Sequence, residues 1–319
     1  MRDQTFDIMK GIGILSMVIG HSYVPAVLKD FIFTWHMPLF FIISGYFYKS
    51  NPNREYIKKN VRQLIVPYIV TAIVIIGFSV CKDVIKGEPI KNNYIIGALI
   101  GNGSHHNPNF GEYNIGAIWF LLALCWCRII YNIMVNYIPN ENHKNTTLII
   151  MSCSATYIGT IVFIPTDLLQ GLQALLFFHI GYLWRCGKIQ KINPIYLQIV
   201  ISCFLCILSI SSGSMSMVRC YYGFFPVNIL AAVCITVGMY EFCTIVGNNV
   251  ISRFLAYCGR ISLLILCVHN IELNCHIAQF LQTNCSFPKY SNVGIHLLIS
   301  LVCSGMLFQI KFIRNLFYL

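Results

Sequence analysis

Apolar runs of bilayer-spanning length follow one another along almost the whole chain, separated by short polar segments. A helix needs about 20 mostly apolar residues to cross the hydrocarbon core. Candidate spans lie near 8–28, 31–48, 63–81, 116–136, 147–164, 167–185, 195–211, 225–246, 254–280 and 292–312, the second and fifth being short. The pattern predicts an all-α integral membrane protein, a polytopic bundle of about ten transmembrane helices in a single domain over 1–319. The first run does not read as a cleavable signal. Asp3 and Asp7 precede it, His21 interrupts it, and no small-residue cleavage site follows.

Charge gives this pattern a direction. With the N-terminus inside, Lys29, Lys82, Lys86, Lys91, Arg219 and Lys289 fall on the outer side, and all the other Lys and Arg residues fall inside. That asymmetry follows the positive-inside rule and predicts N-in, C-in. The net charge of +11 could otherwise point to nucleic acid, but no basic block interleaves with aromatics, so no nucleic-acid partner is expected. Composition agrees, with 57% hydrophobic and 10% charged residues. A soluble fold so apolar would expose large patches and aggregate.

Most of the 15 cysteines lie inside apolar runs, as Cys125, Cys127, Cys203, Cys206, Cys234 and Cys267 do. Cys125-Trp-Cys127 lacks zinc-knuckle spacing and no CxxC occurs, so these read as small packing residues, with a Cys275–Cys285 bridge only a weak alternative. The longest outer segment, about 82–115, carries the turn-rich stretch GNGSHHNPNFGEYN. Its adjacent His105 and His106 are a weak metal signal, since sequence neighbours rarely bind an ion alone, and no metal is expected. Neither a 20–50-residue repeat nor a matched pair of Gly/Pro-broken spans, the mark of inverted-repeat transporters, is present.

Ionisable residues at membrane depth are costly and usually functional. His21, His36 and His269 stand out. If the first two spans turn near Leu28 and Lys29, His21 and His36 both lie roughly 10 Å below the outer surface. His269 falls in the same layer if one helix runs outward from near Phe254. Each could also serve only as a hydrogen-bond partner between helices. Glu272, one turn after His269, is placed to pair with it. Glu241, Arg128 and Asp167 read as structural charges near helix ends.

Lys10 and His21 are eleven residues apart, an angular offset of about 20° and an axial separation of roughly 16 Å. They therefore share one face, with Asp7 close enough to pair with Lys10. A single groove with a cation at its inner mouth and an imidazole deep inside suits a long, anionic thioester donor. Lys58, Lys59 and Arg62 on the same side would add phosphate contacts. A neutral imidazole can take the proton of a hydroxyl as it attacks the thioester, so His21 is the candidate general base.

FDIMKGIGILSMVIGHS resembles the first helix of the acyltransferase-3 family, whose hallmark is a basic residue and, after ten further residues, a histidine; here these are Lys10 and His21. FTWHMPLFFIISGYF is similar to the family's second-helix motif. Lys59-Asn-Val-Arg62 before LIVPY resembles its basic pair, with Lys where Arg is commoner. IWFLLAL resembles the WFLxAL motif with Leu122 at a position often held by proline. FFHIGYLWR and GRISLLILCVHN match in order further on. The nearest subgroup is the stand-alone, fucose O-acetylase-like members, without a fused esterase-like or racemase domain. The resemblance implies transfer of an acyl group, most often acetyl, from cytoplasmic acyl-CoA to a hydroxyl of a surface polysaccharide or its lipid-linked precursor. The setting it implies is the bacterial inner membrane. By match of motif it makes His21 catalytic with Lys10 as its basic partner and Lys59 and Arg62 donor contacts, and extends less directly to His36 and His269. Together with the residue reading, the candidate site is His21, Lys10 and His36 for catalysis, Lys10, Lys58, Lys59 and Arg62 for the donor, and His36, Ser44, Trp119, His269 and Glu272 for the substrate. Acetyl-CoA enters as co-substrate, with no bound cofactor expected. Whether the chain forms a homo-oligomer or joins a polysaccharide-synthesis complex stays open. A transporter or flippase is the main alternative, since buried histidines also serve proton relays. A purely scaffolding membrane module is the other.

Overall fold

The computed structural model describes residues 4–104, 110–189, 195–247, 249–284, 288 and 291–317. Among these the chain is helical, with a single isolated bridge between Ser216 and Tyr221. Expected spans land on α1 (Gln4–Gly20), α2 (Ala26–Tyr46), α4 (Val66–Lys86), α6 (Trp119–Tyr137), α7 (Glu141–Gly159), α10 (Ile195–Ser211), α11 (Phe225–Ile245) and α15 (Asn292–Gln309). Shorter helices complete the set: α3 (Asn53–Asn60), α5 (Asn93–Ile100), α8 (Leu168–Gln173), α9 (Leu175–Arg185), α12 (Val250–Arg260), α13 (Ser262–Cys275), α14 (Ile277–Asn284) and α16 (Lys311–Phe317).

Five helical stretches are long and apolar enough to cross a membrane: α2, the continuous run Asn53–Lys86, α6, α11 and α15. The bent pair α12–α13 makes a sixth if counted as one span. The chain is thus an all-α, multi-pass membrane protein. Helix length by itself accounts for five or six crossings, fewer than the expected ten. The physical reasons are visible. The described part of α1 and the whole of α10 each run for only 17 residues, α7 opens on the polar ENHKNTT, and α8 and α9 are separate short helices.

Two expectations about depth need correcting. The first hairpin turns at 21–25, because α1 ends at Gly20 and α2 starts after Pro25, so the turn does not fall at Leu28 and Lys29. The run 254–280 is not one straight helix either. It breaks at Ile261, where α12 and α13 meet at 72°. His269 therefore reaches its place through a bend, and counting rise from Phe254 does not give its depth.

Helices approach closely where glycines face a neighbouring backbone, as small residues allow in membranes. Gly45 of α2 faces the Phe178 carbonyl of α9, and a Cβ there would overlap it. Gly259 of α12 meets the backbone of Asp7 in α1 in the same way. Between α3 and α4 the chain makes one π turn, Val61–Ile65. Such turns often mark functional sites. This one carries Arg62 and Gln63 beside Lys59. The cysteines described are free thiols, Cys275 among them, while Cys285, like His105 and His106, lies outside the described residues.

Candidate active site

Two cavities enter the bundle. The larger, about 940 Å³, is lined by His21, Phe33, His36, Trp119, Asn270 and Asn274 among others. The smaller, about 670 Å³, is lined by Lys10, Ser44, Lys49, Lys59, Asn60 and Arg128 among others. Chain order shows how they lie. On α1, Lys10 lines the smaller and His21 the larger; on α13, Ser262 lines the smaller and Asn274 the larger. On α2 the direction reverses, with His36 on the larger and Ser44 on the smaller, as an antiparallel neighbour requires. The cavities therefore occupy opposite ends of the same helices. Met17, Met37 and Leu266 line both, so the two cavities adjoin at these three apolar side chains. The line expected from Lys10 to His21 thus runs through two adjoining chambers, with Met17 of α1 at their junction.

His21 sits just past the end of α1, and its Nδ1 lies 3.0 Å from the Met17 carbonyl. A carbonyl oxygen only accepts, so Nδ1 carries the proton and Nε2 keeps its lone pair. His36 is fixed likewise, with Nδ1 donating to the Ile32 carbonyl at 2.8 Å. Phe33 stands between them, its ring centroid 5.5 Å from His21 and 5.1 Å from His36. The larger cavity thus presents three imidazoles, those of His21 and His36 in one tautomer and that of His276, with the Trp119 indole, the Asn270 and Asn274 amides, and charges of both signs, Lys29, Lys82 and Arg219 beside Asp30 and Glu112 among them.

Among the described lining residues of the smaller cavity, Lys10, Lys49, Lys59 and Arg128 are basic and none is acidic. Arg128 donates from Nε to Ser44 Oγ at 2.8 Å and from Nη1 to Asn60 Oδ1 at 3.4 Å. Both acceptors are neutral, so they orient the guanidinium without compensating its charge. Such a fork suits phosphate or carboxylate. Lys10 pairs with the buried Asp7 at 2.8 Å, as its spacing predicted. Lys59 is on the wall, while Lys58 and Arg62 are exposed and absent from both linings. Lys59, also exposed, is thus the one of these three expected donor contacts that lines the chamber.

His269 and Glu272 line neither cavity. Both expected substrate residues are buried, and His269 packs against His21. The His269 ring stands 5.9 Å from that of His21, nearly perpendicular. Glu272 Oε2 lies 3.5 Å from His269 Nδ1 and 2.6 Å from His296 Nδ1, and its Oε1 accepts from the Ala278 N–H at 3.0 Å. The ligand-type atoms of His269, Glu272 and His296 all fall within 4.8 Å of one another, close enough to hold a metal ion. Sequence reasoning missed His296 on α15, which has no pairing signal at short range, and Arg128, which it treated as structural. The signal for Arg128 was present: a guanidinium in the middle of an apolar span is costly unless used.

The acyltransferase-3 model, which describes an acyltransferase domain, matches residues 3–311. No curated protein and no solved structure matches the chain. A match over nearly the whole length, on a multi-pass helical bundle with a histidine chamber and a basic chamber back to back, identifies the chain as belonging to the acyltransferase-3 family.

Proposed function

We propose that the protein moves an acyl group, acetyl in the simplest case, from acyl-CoA in the basic chamber to a carbohydrate hydroxyl in the histidine chamber. The acceptor is a surface polysaccharide or its lipid-linked precursor, and the setting is a bacterial inner membrane crossed ten times with both termini inside. The observation that carries this reading is the chemical contrast between the chambers. One has four basic and no acidic described lining side chains, the character that phosphates need. The other has imidazoles, amides, an indole and charges of both signs, the mixture that binds a sugar.

The step follows from the His21 tautomer. Nε2 takes the proton of the acceptor hydroxyl as its oxygen attacks the thioester carbonyl. The C–O bond forms as the C–S bond breaks, and the departing thiolate takes the proton back from the imidazolium. The reaction needs the thioester arm to pass Met17, Met37 and Leu266. Flexible methionine side chains can yield more readily than packed aromatics.

The test is label transfer from radiolabelled acetyl-CoA to glycan in membranes holding wild type or His21→Ala. Label reaching glycan only with wild type is the expected result. Equal transfer by the variant would overturn the role of His21. Chambers at both ends also suit a transporter, and glycan flux through liposomes without any acyl donor would favour that reading instead.

A further inference from the structure

Glu272 is a buried carboxylate near the end of α13 whose described partners are two imidazoles and one backbone N–H, with no Lys or Arg among them. It is 1% exposed and His269 is fully buried. A buried acid is expensive, and the contacts made for it are specific. Ala278 fixes one carboxylate oxygen and His296 the other, so the group is held from α14 and from α15 at once. On its remaining side stands His269, and beyond that ring stands His21.

We infer that Glu272 is the built-in counter-charge for His21, acting through His269, with His296 holding the carboxylate in place. The inference rests on His21 being the general base. When His21 takes the hydroxyl proton, a positive charge appears on the wall of the larger cavity. A negative charge fixed one imidazole away stabilises that charge, and because it is already oriented, nothing has to reorganise when the proton arrives. His269 transmits the effect: Nδ1 faces Glu272 and the Ser300 hydroxyl, 3.3 Å away, so the ring is polarised away from the carboxylate and toward His21. The His269 Nε2 atom has no hydrogen-bond partner. That is an unusual cost for a ring serving only to pack. His269, Glu272 and His296 are positioning residues in this arrangement. They touch neither chamber, and they act only on the charge that His21 acquires.

The experiment measures labelled acetyl transfer against acetyl-CoA concentration for the full-length protein in membranes. The variants are Glu272→Gln, His269→Gln, the double variant and His21→Ala, each checked by melting temperature after detergent extraction. Glu272→Gln is expected to lower kcat by about ten- to a hundredfold, with KM for acetyl-CoA unchanged within about twofold. His269→Gln should do the same, and the double variant should lose no more than the worse single, because the pair acts as one unit. Wild-type kcat in Glu272→Gln overturns the inference, as do additive losses in the double variant. Should Glu272→Gln fail to accumulate, wild-type kcat in His269→Gln overturns it equally. Loss of wild-type activity on chelation, restored by Zn²⁺, would also overturn it by making the cluster a metal site. The two readings separate cleanly. An inactive His21→Ala beside a fully active Glu272→Gln rejects the counter-charge alone, whereas an active His21→Ala rejects the base and the counter-charge together.

Discussion

The two chambers are built from the same helices yet differ in how their charges are balanced. In the basic chamber the cations face the space: Arg128 is held by neutral oxygens, and no acidic side chain is described on the wall. In the histidine chamber the working groups are neutral rings, charges of both signs share the lining, and the anion behind them is buried within hydrogen-bond range of imidazoles. On the proposed reading, the difference separates binding from chemistry. A chamber whose lining is basic, with Arg128 held only by neutral oxygens, binds an anion at all stages of a reaction, which stabilises ground state and transition state alike. A neutral imidazole with a fixed anion behind it does little until a proton moves, and then stabilises only what forms.

This comparison can be broken in several places. The largest effect is expected at His21→Ala, a fall in transfer on the order of 10³-fold, in the range of general-base loss. Labelled acetyl-CoA binding should persist, and loss of both together would mean that the chambers are not separable. Next comes Arg128→Ala, which should raise KM for acetyl-CoA on the order of tenfold, from loss of charged hydrogen bonds, with kcat largely kept. Arg128→Lys should recover only part of that, because a single ammonium cannot reproduce the fork. A fall in kcat at constant KM would place Arg128 in the chemistry instead.

Met17→Trp fills the junction between the chambers and should cut transfer by roughly tenfold while leaving donor binding intact, a block of passage. Unchanged transfer would show that the thioester takes another route. The smallest effect separates neighbours in sequence. Lys59→Ala should weaken the donor KM by about threefold, a surface-type charge contribution, and Lys58→Ala by less than twofold. Equal effects of the two lysines would erase the distinction drawn between chamber wall and exposed helix face.

The site was partly legible in the sequence. The Lys10–His21 relation is a matter of helical rise and turn, so it survived folding: Lys10 on α1 and His21 just past its end both line cavities, and Lys10 pairs with Asp7 as predicted. Glu272 and His269, three residues apart, also paired as predicted. What local spacing could not show was the junction of the two cavities. Met17 looks like any apolar residue on α1, and only tertiary packing brings it together with Met37 and Leu266, from two other helices, where the cavities adjoin. Arg128 and His296 were missed for a related reason. Their partners Ser44 and Glu272 are far away in sequence and reach them only through helix packing.

The sequence by itself determined the solvent and the secondary structure, because a chain of long apolar runs can satisfy its backbone in a bilayer only as helices. It also determined relations within one helix, since rise and turn are properties of the backbone. The tertiary structure alone decided where helices stop and bend, as at Ile261, and which polar groups meet across them. It therefore decided that the basic and histidine linings fall in two adjoining cavities, that Lys58 and Arg62 line neither, and that a glutamate from α13 and a histidine from α15 meet next to His269, which packs against His21. The physical reason is that apolar side chains carry little information about which neighbour they face in lipid. That choice is made by close approach at small residues and by the few polar groups that must find partners.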